Sequence, residues 1–174
     1  RMIRNACAVL MCSRGTPMFL SGDEFGNTKF GNNNSYCQDN ITSWLDWRML
    51  EKNRDLFEFF KFMIAYRKSH PVIHKKLPEA VCGIDPIHTH NINAKEVDIP
   101  RDARTFSVCF AGYNKDIGRD DLVCISVNTF WEDVTITLPD LHGRAAWYLS
   151  VNTYGDENGK YCYTEAEDVR IDGE

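Results

Sequence analysis

The sequence predicts an α+β chain: a helix–strand–helix segment followed by an antiparallel β-sandwich. Three observations carry that expectation. Apolar residues recur at helical spacing before residue 70 and alternate singly with polar ones after about 104. Between these regimes lies PVIHKKLPEA (71–80), whose two prolines mark a boundary. Charge divides at the same place: residues 1–80 hold 12 basic and 8 acidic groups, residues 81–174 hold 8 and 17.

The elements follow in order. Met2, Ile3, Ala6, Val9, Leu10 and Met11 recur at helical spacing, and Gly15 is a fitting stop. Thr16–Ser21 is a short apolar run closed by Gly22, which reads as a buried strand. The stretch GDEFGNTKFGNNNSYCQDN is too rich in Gly and Asn for regular structure. Leu56, Phe59, Phe60, Met63, Ile64 and Arg67 then trace one stripe of a second helix, which Pro71 ends. Helix, buried strand, loop and helix form an α/β pattern, yet one strand makes no sheet, so its neighbours are expected outside this chain.

Strands dominate the remainder. Phe106, Val108 and Phe110 alternate with Ser107, Cys109 and Ala111. LVCISV (122–127) is apolar throughout and predicts a central strand; Val134, Ile136 and Leu138 alternate and stop at Pro139. AAWYLSV (145–151) is another strand, with weaker ones at Tyr161-Cys-Tyr and Val169-Arg-Ile. Turn signals at 114–121, 140–143 and 155–159 separate them, the spacing of an antiparallel sandwich.

Composition narrows the function classes. The chain has 174 residues and a net charge of −5, which argues against nucleic acid or an anionic membrane as partner. No apolar run approaches the roughly 20 residues of a spanning helix. The opening RMIRNACAVLMCSRG lacks a signal-peptide pattern and reads as the middle of a longer chain. Seven cysteines without a C-x-x-C pair, several inside apolar stretches, read as buried free thiols in the cytoplasm. His88-Thr-His90 is the sole metal candidate and, with no cysteine nearby, reads as a pair of loop residues. The sequons at Asn33 and Asn40 matter only in a secreted protein.

The segment GTPMFLSGDEFGNTKFGNNNSYCQDNITSWLDW (15–47) resembles the bacterial glycogen debranching enzymes and isoamylases of glycoside hydrolase family 13, the α-amylase family. GTPMFLSGDE fits the broad family pattern around the eighth barrel strand. GNNNSYCQDN with SWLDW is more specific and points to the debranching branch, away from branching enzymes and trehalose-releasing hydrolases. The likeness continues through RKSHP (67–71). Beyond residue 80 only the layout agrees, with VNTFWEDVTITLP (127–139) resembling a strand–turn–strand of the family's trailing domain.

The resemblance implies that residues 1–75 are the last helix–strand–helix of a (β/α)₈ barrel, with the loop after strand eight on its active face. Residues 76–174 would be the C-terminal β-sandwich, lacking its final strand. In that loop Asn32, Asn33, Asn34, Tyr36, Gln38 and Asp39 offer amide, phenol and carboxylate groups suited to sugar hydroxyls. Trp44 and Trp47 offer flat surfaces for a pyranose ring. The other reading of these side chains is a loop satisfying its own backbone and tryptophans packed in a core.

The implied activity is retaining hydrolysis of α-1,6 branch linkages in glycogen or a related α-glucan, with no cofactor and no metal. Such chemistry needs two carboxyl groups about 5–5.5 Å apart, and no segment here matches those that carry them. There is no His-Asp dipeptide, and Asp23 and Glu24, as neighbours on an extended chain, would point to opposite sides. No residue of this chain is therefore assigned a catalytic role, and the piece alone is expected to be inactive. With Phe19, Leu20, Phe59, Phe60 and Met63 lacking barrel neighbours, it is also expected to self-associate. The alternative from another class is a carbohydrate-binding or purely structural β-sandwich. Exposed tryptophans would favour binding; Trp131, following a strand, is placed for that, whereas Trp147 reads as core.

Overall fold

The computed structural model describes residues 1–141 and 146–154. Two compact units divide between Tyr66 and Arg67.

The first unit opens with helix α1, Met2–Cys12. Its buried face is Arg4, Cys7, Met11 and Cys12; of the predicted apolar stripe Met11 lies on that face, while Met2, Ile3 and Val9 are exposed. On the same face Arg4 forms an ion pair with Asp55, its guanidinium 5.9 Å from the Phe59 ring. The helix stops at Cys12 with Ser13 extended, three residues before Gly15 takes its positive φ of 96°.

The buried strand expected at Thr16–Ser21 does not form. Residues 16–20 carry no ladder, and Met18 and Leu20 are exposed. A strand needs partners for its amides and carbonyls, and none of the described residues pairs with this one. Phe19 does reach the second helix, its ring 5.4 Å from that of Phe60.

After a long loop, α2 (Arg48–Lys52) and α3 (Arg54–Ser69) follow. Of the predicted stripe of α3, Leu56, Phe59, Phe60, Met63 and Arg67 are buried and Ile64 is half-buried. The helix ends two residues before Pro71, whose ring disfavours helical geometry in the preceding residue.

The second unit continues from Arg67. Pro71–Ile73 form a single 3₁₀ turn that buries Val72 and Ile73. Asp121, itself buried, holds this turn: one carboxylate oxygen lies 2.7 Å from His70 Nδ1 and the other accepts the Val72 N–H at 3.1 Å. The sheet is antiparallel with order β1-β2-β3, built from Ile87–His90, Thr105–Asn114 and Arg119–Asn128. His88 and His90 are therefore strand residues, where the sequence suggested a loop.

The hairpin at 114–119 forms where the turn signals place it. The strand LVCISV, expected to be central, is the edge strand β3, and β2 takes the centre. Both faces of β2 carry buried residues: Thr105, Ser107, Cys109 and Ala111 on one, Phe110 on the other, where Val108 is half-buried and Phe106 is 38% exposed. Ser107 can be buried because its hydroxyl meets that of Ser126 at 2.8 Å.

Cys109 and Cys124 face one another across β2 and β3 and are joined as a disulfide. Cys37 is exposed and Cys82 half-buried, so among the described residues only Cys7 and Cys12 match the expectation of buried free thiols, and Cys162 lies outside them. No strand forms at Val134–Leu138; Thr137 instead bonds Ile92 and Ala94 through single links of 2.8 and 3.0 Å. In the next predicted strand, Tyr148 and Val151 make isolated bridges. The segments at Tyr161 and Val169 lie outside the described residues.

Candidate functional site

The loop between residues 22 and 47 holds three left-handed glycines, Gly22, Gly26 and Gly31. Gly22 has φ 101°, and a Cβ there would lie 2.7 Å from that of Asn27. Gly22 O accepts the N–H groups of Phe25 and Asn27 at 3.1 and 2.9 Å. The Asp23 and Glu24 carboxylates close the same turn by accepting the N–H groups of Leu20 and Gly22. They serve the local backbone, not one another. Further on, Asn27 Oδ1 accepts the Asp46 N–H at 2.9 Å, tying the loop's start to its end. Asn53 Nδ2 donates to Phe25 O at 2.9 Å, anchoring the loop to the start of α3.

Each candidate binding residue has a definite place. Asn32 and Asn34 form successive Asx turns, accepting the N–H groups of Asn34 and Tyr36 at 2.9 and 3.1 Å. Gln38 bridges the loop, donating to Asn34 O and accepting from Asn32 Nδ2 and Thr42 Oγ1. Asp39 Oδ1 accepts the Trp44 indole N–H at 2.8 Å. Four of the six side chains are thus engaged in the loop's own framework. Asn33 and Tyr36 are different. Both are exposed, Tyr36 by 84%, and neither side chain makes a hydrogen bond among the described residues.

The framework shapes a cavity of about 330 Å³. None of the six lines it. Phe30, Ile41, Trp44 and Leu45 give it an apolar side, and Asp46 and Arg48 a charged one. Asp46 and Arg48 are joined by two parallel bonds, Nε to Oδ1 at 2.8 Å and NH2 to Oδ2 at 2.7 Å. That hydrogen-bonded guanidinium holds the Asp46 carboxyl below its ordinary range and raises Arg48 in turn. The Trp44 indole is fixed by Asp39 yet 55% exposed, so it presents a steady ring surface. Trp47 is 64% exposed with its ring 5.7 Å from that of buried Phe25.

A cavity with one apolar wall, a fixed indole and a charged edge suits a ligand with both C–H faces and hydroxyls. Phe30 and Ile41 escaped the sequence reading because single apolar residues in a polar loop carry no periodicity. The signal for Phe30 is its positive φ of 53°, uncommon for a bulky residue. No group of three or more His, Cys, Asp or Glu side chains among the described residues could hold a metal ion. No helix among them is long and apolar enough to cross a membrane.

No protein-family model matches the chain. Among curated proteins, a glycogen operon protein GlgX homolog of Mycobacterium bovis is 49% identical over 76 residues, 44% of this chain and 10% of that protein. Chloroplastic isoamylase 3 of Oryza sativa subsp. japonica is 31% identical over 154 residues, 88% of this chain and 18% of that protein. A glycogen debranching enzyme of Erwinia tasmaniensis is 43% identical over 75 residues, 43% of this chain and 11% of that protein.

Among solved structures, a pullulanase from Bacillus acidopullulyticus superposes with a TM-score of 0.70 at 20% identity, covering 99% of this chain and 18% of that one. A pullulanase from Paenibacillus barengoltzii in complex with maltohexaose and α-cyclodextrin gives 0.60 at 24% identity, covering 99% of this chain and 24% of that one. At such identities the structural likeness is one of fold. The chain spans between about a tenth and a quarter of the length of these proteins.

Proposed function

We propose that this chain, a relative of the glycogen debranching enzymes and isoamylases, is the C-terminal part of such an enzyme and supplies one wall of its glucan-binding cleft. The parent hydrolyses α-1,6 branch linkages in glycogen or a related α-glucan, with retention of configuration. Residues 1–75 are the end of its barrel, and residues 76–174 its C-terminal β-sandwich. The observation that carries the proposal is sequence identity to a glycogen operon protein, 49% over 76 residues. The unpaired segment 16–20 and the outward apolar stripe of α1 support it, since both expose surface that neighbouring barrel elements would cover.

In this reading Trp44 receives the face of a glucosyl ring, held at a fixed angle by Asp39. Arg48 and Asp46 offer donors and acceptors to its hydroxyls, while Asn33 and Tyr36 reach for sugars further along the chain. The pullulanase bound to maltohexaose supports an α-glucan as the ligand. The carboxyl pair that cleaves the bond is contributed by parts of the parent outside these residues, so the piece binds without turnover.

The test is an assay of reducing ends released from pullulan and glycogen. The chain alone is expected to release none, and to restore activity to the remainder of its parent when the two are co-expressed. Release by the chain alone would overturn the assignment of the chemistry elsewhere.

A further inference from the structure

We infer that the second unit carries a carbohydrate-binding platform of its own, built on Trp131, Phe130 and Arg104 and taking the face of an α-glucan chain. Trp131 is 76% exposed. It is backed by half-buried Phe130, the ring centroids 4.1 Å apart and the planes inclined by 34°. The Arg104 guanidinium lies 5.1 Å from the Trp131 ring and 5.7 Å from that of Phe130. It makes no ion pair among the described residues, so its N–H donors remain for a ligand.

The platform stands on a fixed base. Thr129 bonds Arg104 O twice, from its N–H and its hydroxyl, both at 2.7 Å. Asn128 Oδ1 accepts the Phe130 N–H at 2.8 Å and the Thr105 hydroxyl at 3.2 Å, while Asn128 Nδ2 donates to Glu132 O at 2.8 Å. These bonds lock the turn to the last pair of the β2–β3 ladder, Thr105 with Asn128. A ring held this way loses little freedom on binding.

The surroundings select the ligand. Exposed Glu132 and Asp133 follow Trp131, so the ring is bordered by acceptors as well as by the Arg104 donors. A pyranose matches that mixture, an apolar C–H face against the indole with hydroxyls at its rim. That the sugar is an α-glucan rests on the function proposed above.

The experiment is a titration of the full chain with maltoheptaose followed through the tryptophan indole NMR signals. The Trp131 signal is identified by its loss in Trp131→Phe. A saturable shift of that signal is expected, with affinity about tenfold weaker in Arg104→Ala. Trp44→Ala is expected to leave the Trp131 shift intact. An unmoved Trp131 signal beside a moving Trp44 signal would overturn the platform and leave the cleft reading standing. If neither moves, both fall. An equal shift with the β-linked cellohexaose would overturn the choice of an α-glucan.

Discussion

Cys7 lies on the inward face of α1 at 2% exposure, and burial, with Cys12 beside it, pushes its thiol up to about 12. The thiolate is the nucleophile, so Cys7 is expected to resist alkylation at pH 8 while exposed Cys37 reacts at once. Mass mapping after a short pulse of iodoacetamide reads this directly, and early labelling of Cys7 would show the face to be open. The sign of the pH effect follows. A free thiol loses its proton near pH 8.5, but buried Cys7 keeps it, so its contribution to stability is intact below that pH and is lost as pH rises toward about 12. At this scale the sequence was informative at Cys12, which the run VLMC marks as buried, although Val9 in the same run is exposed. It was silent where backbone conformation decides, as at Cys37, whose φ of 58° belongs to a turn. The amides of the loop show the same limit. Their composition suits both sugar hydroxyls and Asx turns, and only coordinates reveal that Asn32 and Asn34 make turns while Asn33 does not.

The two long helices and the β2–β3 hairpin were legible in kind, whereas the strands expected at 16–21 and 134–138 do not form and His88–His90 is strand, not loop. The stripe of α3 was largely legible, with Leu56, Phe59, Phe60, Met63 and Arg67 buried and Ile64 half-buried. For α1 the apolar and the buried residues share only Met11, because Arg4, Cys7 and Cys12 make up the rest of the buried face. For β2 the alternation was visible, but period two says nothing about which face is buried, and partner strands decide that. Gly112 gives a test of that packing. A Cβ added there would meet Leu77 Cβ at 2.6 Å and Pro78 O at 3.2 Å, while the Tyr113 N–H donates to the same carbonyl at 2.9 Å. The segment before β1 therefore lies flush against β2, and an alanine must push backbone aside. Gly112→Ala is expected to destabilise the second unit by roughly 1–3 kcal/mol, read as a lower urea midpoint with an unchanged slope. An unchanged midpoint would mean that the close approach is absent in solution.

At the scale of the whole molecule, several large apolar side chains of the first unit stay uncovered. Met2, Ile3 and Val9 on α1 and Met18 and Leu20 in the unpaired segment are exposed, all within the first unit. Segment 16–20 also offers backbone donors and acceptors with no ladder, an edge open to pairing. Separately, single exposed apolar residues are ordinary, but several on one helix and one extended segment call for cover. In the parent, by the function proposed above, neighbouring barrel elements supply it. In the isolated chain another copy is the available source, so the first unit should drive self-association. Light scattering across a hundredfold range of concentration is expected to show a mass that rises with concentration. Ile3→Gln with Leu20→Gln should lower that association, while Phe106→Gln, an exposed strand position of the second unit, should leave it unchanged. Hydrogen exchange adds an independent reading: the amides of Thr16, Met18 and Phe19 should exchange fast at low concentration and slow as copies associate. A monodisperse monomer with slow exchange throughout residues 1–66 would contradict the account, because it would show that the first unit satisfies its own surface and needs no barrel around it.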